Sequence, residues 1–307
     1  MFKYSLDNKR YHTLNYYYRH KYGKKVFKVS LNANFSCPNK INGNGCIFCS
    51  KLGSGDFAGN VSKDLITQFN EVKEIMEHKW PDAYYIGYFQ ANTNTYAPVN
   101  ILKTKFEPIL KMPNLVGLSI ATRSDCINEE CLNYLKDLNT RTNLTIELGL
   151  QSMYDETLKY INRGHDLNNF ITCVKKLKES NIKVVVHIIN GLPGETKEMM
   201  INTAKFLNDL DIDGIKIHML HVIKNTPLAD IYLARPFPIL TKDEYIDIVV
   251  SQLEVLKPEI VIHRLTGDPK KEDLIAPDWV LKKFVVLNDI DKEMKRRDTY
   301  QGSKISS

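Results

Sequence analysis

Three cysteines, Cys37, Cys46 and Cys49, lie within one thirteen-residue stretch of the sequence. The Cys46-x-x-Cys49 spacing lets two thiolates bind one inorganic centre across a turn, and Gly43 and Gly45 give the loop the backbone freedom to wrap around it. Three thiolates on a cubane iron–sulfur cluster leave one iron without a protein ligand, and that iron can bind and activate a small molecule. The alternative is a zinc site that takes a fourth ligand from elsewhere in the chain.

The remaining cysteines, Cys126, Cys131 and Cys173, are spread over predicted helices and are expected to be packed apolar thiols. The first ten residues contain no apolar core of a secretory signal, and the longest apolar runs are far shorter than a membrane span. We therefore expect a cytoplasmic protein with no membrane partner. Thiols stay reduced in that compartment, which favours metal or cluster ligation over disulfides.

The net charge of +6 is concentrated at the amino terminus. Residues 1–28 contain eight Lys or Arg residues and one acidic residue, Asp7, with six tyrosines interleaved. Cations that contact phosphates and rings that stack on bases would suit single-stranded or looped RNA. A solvated basic arm whose tyrosines pack on the core explains the same composition. The sequence leaves both interpretations open.

Short β-branched runs alternate with amphipathic stretches along most of the chain. The predicted strands cover 26–31, 83–89, 116–121, 144–150, 183–189 and 214–220. The predicted helices between them cover 62–79, 99–110, 129–138, 168–179 and 196–210. Six βα units with short joints imply right-handed crossovers and a parallel sheet. They are too few for a full eight-unit barrel, so we predict an α/β fold, an incomplete (β/α)6 TIM-like barrel.

The predicted barrel covers 26–235, with two smaller extensions. A basic, tyrosine-rich extension covers 1–25, and a C-terminal extension over 236–307 reads as helix, extended segment and helix closing one side of the barrel. In parallel sheets, function gathers at the carboxyl ends of the strands. The cysteine loop follows the first predicted strand, and polar residues follow the next four. An active site at this end of the barrel is therefore predicted.

Further motifs strengthen that prediction. The cysteine loop, the segment 147–152 (Glu-Leu-Gly-Leu-Gln-Ser), the segment 162–165 (Asn-Arg-Gly-His) and the segment 191–195 (Gly-Leu-Pro-Gly-Glu) together resemble radical S-adenosylmethionine enzymes. Among these, the chain is most similar to the Elongator catalytic subunit and the oxygen-independent coproporphyrinogen oxidases. Over nearly its whole length it resembles the YhcC/YtqA subgroup, also called MnmL in some bacteria. The eight residues between the first two cysteines, instead of the usual three, are expected within that subgroup.

The resemblance implies a four-iron [4Fe-4S] cluster whose catalytic and metal-binding ligands are Cys37, Cys46 and Cys49. The open iron takes the amino and carboxylate groups of S-adenosylmethionine. One electron, from a low-potential donor such as flavodoxin or ferredoxin, then cleaves the sulfonium to methionine and a 5′-deoxyadenosyl radical that abstracts hydrogen from the substrate. The resemblance leaves the oligomeric state open.

The resemblance also assigns cofactor contacts. The expected residues are Gln90, Thr93, Arg123, Glu147, Gln151, Arg163, His187 and Gly191. Thr93 stands where the family's glycine-rich segment meets the methionyl amino group, and since the glycines are missing here, the side chain of Gln90 or Asn92 is expected to replace backbone contacts. Gln151 and Arg163 match polar groups near the ribose and the carboxylate.

The other assignments have structural alternatives. His187 takes a position often held by an acid facing the ribose, and Gly191 begins the turn near the adenine, although 191–194 would also serve as a plain strand-to-helix turn. Arg163 equally suits a helix C-terminus followed by a left-handed glycine. Glu147 is expected to point into the barrel, where burial demands a partner. Arg123 lies at the barrel mouth, where an arginine usually holds an anion.

For the subgroup, the implied substrate is tRNA. The implied reaction remodels the C5 side chain of a thiolated wobble uridine, from carboxymethylaminomethyl to aminomethyl. Two alternatives remain open at this point: a radical enzyme acting on a small molecule such as a porphyrin precursor, and a zinc-stabilised RNA-binding protein without catalysis.

Overall fold

The computed structural model describes residues 2–5, 8–43, 45–50, 53 and 58–305. Seven parallel strands lie side by side in the order β1-β2-β3-β4-β5-β6-β8, and a separate antiparallel pair joins β7 to β9. The strands are β1 Val26–Leu31, β2 Tyr84–Phe89, β3 Leu115–Thr122, β4 Leu144–Gln151, β5 Lys183–Asn190, β6 Gly214–Met219, β7 Val222–Ile223, β8 Val261–Arg264 and β9 Leu274–Ala276.

Helices connect successive strands and cover the outer face of the sheet. They are α1 Leu14–Tyr22, α2 Pro38–Ile41, α3 Leu65–Glu77, α4 Val99–Leu110, α5 Glu129–Arg141, α6 Asp155–Tyr160, α7 Leu167–Glu179, α8 Lys197–Phe206, α9 Pro227–Ala234, α10 Lys242–Val255 and α11 Lys283–Arg296. Helix α3 begins later than expected because the Asp64 side chain, rather than that of Ser62, caps it by accepting from the Thr67 backbone. Among the described residues, no helix combines the length and apolar character needed to cross a membrane.

The parallel sheet curls so that its two edges face each other. Strands β1 and β8 stand at opposite ends of the strand order, yet Lys28 Nζ of β1 lies 3.4 Å from His263 Nδ1 of β8. Lys216 Nζ of β6 likewise reaches the Tyr88 hydroxyl of β2, at 3.0 Å. Such contacts across the interior require a partly closed barrel, and the predicted incomplete TIM-like barrel is confirmed.

Polar and apolar residues alternate along the barrel strands, and the polar ones face inwards. On β6, Lys216 and His218 line the interior, while Ile215 and Ile217 are fully buried beneath the helices. Successive side chains of a strand point to opposite faces. On β4, Glu147 likewise lines the interior, while its neighbours Ile146 and Leu148 belong to the hydrophobic core of the outer layer. A polar interior is suited to a binding site rather than to a packed core.

The sheet has one more strand than six βα units supply. The segment 260–265 was expected to be an extended part of the C-terminal extension, but Val261–Arg264 joins the sheet as β8 beside β6. The backbone N–H of Val261 donates to the Asp213 carbonyl at 3.0 Å, immediately before β6 begins. The strand pairs because the edge of β6 would otherwise present unpaired backbone groups.

The basic amino-terminal segment closes the bottom of the barrel. Helix α1 contacts β1 and β8, and its side chains reach the amino ends of other strands: Lys183 Nζ at the start of β5 donates to the Tyr17 hydroxyl, and Lys21 Nζ donates to Asn143 Oδ1, just before β4, at 2.8 Å. Tyr11 and Tyr18 are buried. This packing agrees with the interpretation of the arm as core-covering, and it places α1 at the opposite end of the barrel from the cysteine loop.

Candidate active site

A cavity of about 660 Å³ opens at the carboxyl ends of the strands and extends into the barrel. It brings together almost all of the residues predicted from sequence: Cys37, Cys46, Cys49, Gln90, Thr93, Arg123, Glu147, Gln151, Arg163 and His187. Gly191 is the exception, because it lines a separate small cavity with Leu220 and Leu240. Its φ of +86° fits the predicted turn after β5.

The cysteine loop is held in place by backbone contacts to distant parts of the chain. The N–H of Ile47 donates to the Ile161 carbonyl at 3.0 Å, and the Ile47 carbonyl accepts from the N–H of Leu228 at 2.9 Å. The side-chain amide of Asn162 donates to the Gly45 carbonyl at 2.7 Å. The segment 162–165, which resembles the family motif, therefore fixes the loop that carries the three thiols.

The surroundings of Cys46 suit anionic sulfur, whereas those of Cys49 favour the protonated thiol. Arg163 NH1 lies 3.8 Å from Cys46 Sγ, and the side-chain amide of Asn39 lies 3.6 Å from the same atom. Burial raises the pKa of the Cys49 thiol to about 11, against the opposing charge of Lys40, so this thiol needs a metal to become a thiolate at neutral pH. Beside it, the buried Ser50 hydroxyl has no hydrogen-bond partner within the described residues.

These observations fit an iron–sulfur cluster. Three thiols line one cavity, with N–H donors beside one of them and an unpaired hydroxyl beside another, and such donors to cluster sulfur tune its potential. In the part of the chain that the structure describes, no three His, Cys, Asp or Glu side chains form a site for a single metal ion. A cubane requires no such set, because each cysteine binds a different iron.

Gln151 and Arg163 meet at a bulge in β4. The register between β4 and β5 shifts between Gly149 and Gln151, and Gln151 has a φ of +76°, which is rare for a residue other than glycine. Arg163 donates to the Gly149 carbonyl through NH2 at 2.6 Å and through Nε at 3.2 Å. At this bulge both polar side chains line the cavity, and Arg163 lies close to Cys46.

Arg123 has its anion within the chain. Its guanidinium donates to both carboxylate oxygens of Asp125, at 2.9 and 2.7 Å, and to the backbone carbonyl of Arg163 at 2.8 Å. It lines the cavity but is nearly inaccessible to solvent. The geometry gives Arg123 a role in positioning the backbone at Arg163, and its expected contact with the cofactor stays a prediction.

The segment after β2 packs against the cysteine loop. The backbone N–H of Thr93 donates to the Ser36 carbonyl at 3.2 Å, and the N–H of Asn92 donates to the Gly53 carbonyl at 2.9 Å. Lys40 Nζ lies 3.3 Å from Asn92 Oδ1. Thr93 is buried at the cavity wall, beside the loop that carries the thiols, as predicted from sequence. The contacts of this segment with the cofactor stay a prediction.

Glu147 lies deep in the barrel, where its carboxylate has four protein partners. Oε1 accepts from Lys28 Nζ and from Ser119 Oγ, each at 2.5 Å. Oε2 lies 2.5 Å from Lys216 Nζ and 2.8 Å from His187 Nε2. Burial alone would raise the pKa of Glu147, but the charges of Lys216 and Lys28 and the hydrogen bond with His187 hold it well below its usual range.

The cations around Glu147 were not recognised from sequence. Lys28 was counted as part of the basic segment 1–28 and of the first predicted strand, and Lys216 only as part of a strand, although a lysine in the middle of a buried strand is itself a signal of a paired interior charge. Burial lowers the pKa of Lys216 to about 7, and burial together with Lys216 lowers that of His187 to about 4. His187 is therefore a neutral imidazole at pH 7.

Two further histidines, His218 and His221, lie at the cavity. Strand β6 ends at Met219, so His221 lies beyond the strand, and both histidines line the cavity. Burial lowers the pKa of His218 well below its usual range and that of His221 to about 4.

Comparisons with known proteins agree with this geometry. The Radical SAM superfamily profile matches residues 36–207, and the Radical_SAM C-terminal domain matches residues 212–296. The YtqA protein of Bacillus subtilis is 50% identical over 98% of this chain and 94% of its own length. The tRNA uridine(34) acetyltransferase of Methanocaldococcus infernus is 31% identical over 50% of this chain and 29% of its own length.

A solved structure shows the same fold. The structure of archaeal Elp3 from Methanocaldococcus infernus superposes on 91% of this chain and on 64% of the Elp3 chain, with a TM-score of 0.70 and 19% sequence identity. The resemblance found from sequence is confirmed. In this superfamily the bound cluster and S-adenosylmethionine together supply a 5′-deoxyadenosyl radical that removes a hydrogen atom from the substrate. This chain therefore belongs to the radical S-adenosylmethionine superfamily, and it is an enzyme whose cofactors are a [4Fe-4S] cluster and S-adenosylmethionine.

Proposed function

We propose that the enzyme modifies the wobble uridine of tRNA and converts a carboxymethylaminomethyl group at C5 to an aminomethyl group. The observation that carries the proposal is the sequence shared with a tRNA uridine(34) acetyltransferase, which covers half of this chain. A relative that acts on uridine 34 makes the same nucleoside in tRNA the first substrate to test. The likeness to archaeal Elp3 supports the fold alone.

The charge of the cavity supports an anionic substrate. The described lining residues include six cationic side chains, Lys40, Arg123, Arg163, Lys216, Arg264 and Lys283. They include two carboxylates, Glu147 and Asp268, and both are bound to lysines. Cations at the mouth of a cavity raise the local concentration of a polyanion and accelerate its association.

The amino-terminal basic segment does not contribute to this argument. Lys28 binds Glu147 inside the barrel, and Lys9 and Arg10 are paired with Asp291 and Asp298. Helix α1 is at the amino ends of the strands, about 20 Å from their carboxyl ends for strands of six residues. We therefore propose that RNA approaches the opposite end, where the cavity opens.

Nucleoside analysis of tRNA tests the proposal. In a strain lacking this protein, mass spectrometry of digested tRNA is expected to show accumulation of the carboxymethylaminomethyl uridine and loss of the aminomethyl form. The purified enzyme, reconstituted without oxygen and supplied with S-adenosylmethionine and reductant, is expected to convert the first into the second on that tRNA. A Cys49→Ala variant serves as the control that lacks a cluster ligand. An unchanged nucleoside profile would contradict the proposal and favour a small-molecule substrate.

A further inference from the structure

The cavity has two chemically different sides. One side is formed by the thiols of the loop after β1, by Gln151 at the end of β4 and by Arg163 in the loop after α6. The opposite side comes from β5, β6 and β8 and the loops that follow, and it presents cations and imidazoles: His187, Lys216, His218, His221 and Arg264. Apart from His187, none of the residues on this second side was predicted from sequence to contact the cluster or S-adenosylmethionine.

Lys216 carries a buried positive charge that the chain compensates only in part. Two lysines, Lys28 and Lys216, share the single carboxylate of Glu147, which leaves a surplus of one positive charge when both lysines are protonated. An ammonium has three N–H donors. Lys216 directs one to Glu147 at 2.5 Å and one to the Tyr88 hydroxyl at 3.0 Å. Its third donor and the surplus charge are at the cavity wall, and buried charges are normally paired.

Three neighbouring side chains have hydrogen-bonding capacity to spare. Within the described residues, the buried Nε2 of His221 has no hydrogen-bond partner, and the His218 ring lies beside the His187 ring, with 5.5 Å between the ring centroids. Arg264 NH2 is 3.5 Å from Asp268, whose carboxylate is bound more closely by Lys283 at 2.8 Å. Unpartnered polar atoms at the wall of a cavity are satisfied when a ligand binds.

We propose that Lys216, His218 and Arg264 form a substrate subsite that binds a carboxylate. The inference rests on the proposed function, in which the uridine side chain ends in a carboxymethyl group. A carboxylate accepts several hydrogen bonds and neutralises the surplus charge. Bound there, it holds the adjacent methylene between the basic side of the cavity and the cofactor side. Burial lowers the pKa of Lys216 to about 7, and a carboxylate bound beside it would stabilise its charged form.

The first experiment compares two RNA ligands on the reconstituted enzyme. One is an anticodon stem–loop whose wobble uridine carries the carboxymethylaminomethyl group, and the other carries the corresponding carboxamide. The wild-type enzyme is expected to bind the carboxylate about ten-fold more tightly, as one charge-assisted hydrogen bond implies. Lys216→Met is expected to abolish this preference while leaving the affinity for S-adenosylmethionine unchanged.

The chain offers a matched control in Lys28. Lys28→Met also removes one positive charge and a separate salt bridge to Glu147, but Lys28 is not among the described residues that line the cavity. This variant removes the surplus charge but leaves the Lys216 ammonium at the cavity wall, so it is expected to lose less of the preference for the carboxylate than Lys216→Met. If Lys216→Met fails to fold, His218→Phe provides a second test, because the substitution keeps an aromatic ring beside that of His187; it is expected to reduce the preference several-fold.

A second experiment separates this inference from the proposed function. Equilibrium dialysis with N-benzylglycine and N-benzylglycinamide presents the same carboxylate and amide without RNA. A preference for N-benzylglycine that disappears in Lys216→Met supports the subsite even if no tRNA is modified, in which case only the proposed function fails.

Three results would overturn the subsite. These are equal binding of carboxylate and amide by the wild-type enzyme, an equal loss of preference in Lys28→Met and Lys216→Met, and a fall in affinity for S-adenosylmethionine in Lys216→Met. A fall in affinity for S-adenosylmethionine would indicate that Lys216 binds the carboxylate of the cofactor rather than that of the substrate. Modification of tRNA that proceeds without any carboxylate preference leaves the proposed function standing and refutes the subsite.

Discussion

Substitution of Gly149 by alanine is expected to lower catalytic activity strongly while changing the free energy of unfolding only a little. An alanine Cβ at this position would lie 2.5 Å from Gln151 Nε2 and 2.9 Å from Arg163 NH2. Non-bonded heavy atoms are comfortable at about 3.5–4.0 Å, so Gln151 and Arg163 must each move by roughly 1 Å. Both displaced atoms are the ends of flexible side chains at the cavity, and the free energy of unfolding is therefore expected to change by about 1 kcal/mol or less.

The expected effect on function is much larger. Arg163 NH2 is held 2.6 Å from the Gly149 carbonyl and donates through NH1 toward Cys46. A misplacement of about 1 Å at a reacting site costs about 100-fold in rate. Gly149→Ala is therefore expected to reduce 5′-deoxyadenosine formation by roughly 10- to 100-fold. Chromatography of anaerobic reactions measures this product, and urea unfolding of the apoprotein measures stability.

Gly87 provides the opposite control. Its added methyl group would lie 2.7 Å from Ile109 Cγ2 and 2.9 Å from Leu118 Cδ2, on the outer face of the sheet. Both neighbours are fully buried, so overpacking is expected to cost about 1–3 kcal/mol while 5′-deoxyadenosine formation stays unchanged. Wild-type turnover in Gly149→Ala, or equal destabilisation in the two variants, would refute the assignment of Gln151 and Arg163 to the cofactor side of the cavity.

Three further predictions follow from the charges. Glu147→Gln leaves two buried lysines without their carboxylate, and urea unfolding is expected to show a loss of about 3–5 kcal/mol; a loss below 1 kcal/mol would contradict the buried network. Burial lowers the pKa of Lys216 to about 7, so the carboxylate preference is expected to be complete near pH 6 and lost by about pH 8 as the ammonium deprotonates; a preference independent of pH would exclude Lys216 as the cation. The titratable and charged groups that interact with it are Lys28, Tyr88, Glu147, His187, His218, His263 and Arg264. Arg19→Gln and Lys24→Gln, both on or beside α1, are expected to leave the salt dependence of RNA binding unchanged, whereas a shallower slope would place RNA at the bottom of the barrel.

The sequence predicts the barrel well because short β-branched runs alternate with amphipathic helical stretches and turn residues separate them. The predicted bounds of β1, 26–31, agree with the structure, and those of β4 and β5 differ by one residue at the carboxyl end. Strand β8 was missed as part of the sheet because four residues after a helix carry too little alternation to identify a pairing partner. Helix α1 was missed because its tyrosines and basic residues suggested an arm rather than an amphipathic helix.

The location of the side chains at the carboxyl end of the barrel can be predicted from sequence, because it depends on where each residue lies relative to a strand. Each predicted residue that comes directly after a strand or in the cysteine loop lies at the same end of the barrel, and all but Gly191 line one cavity. The interior charges do not follow from position. Lys28 and Lys216 contact Glu147 only because the sheet curls, which brings β1 and β6 to opposite sides of β4's carboxylate. Curling depends on the whole sheet, so local pattern does not reveal it.

The central claim is that Cys37, Cys46 and Cys49 hold a cubane cluster with one iron free for S-adenosylmethionine. Metal and sulfide analysis after anaerobic reconstitution, coupled to assay of 5′-deoxyadenosine, tests it most directly. The account predicts about four irons and four sulfides for each chain, cleavage of S-adenosylmethionine when reductant is added, and loss of both in Cys49→Ala with the barrel still folded. Stoichiometric zinc in place of iron, or an iron-loaded protein that forms no 5′-deoxyadenosine, would contradict it.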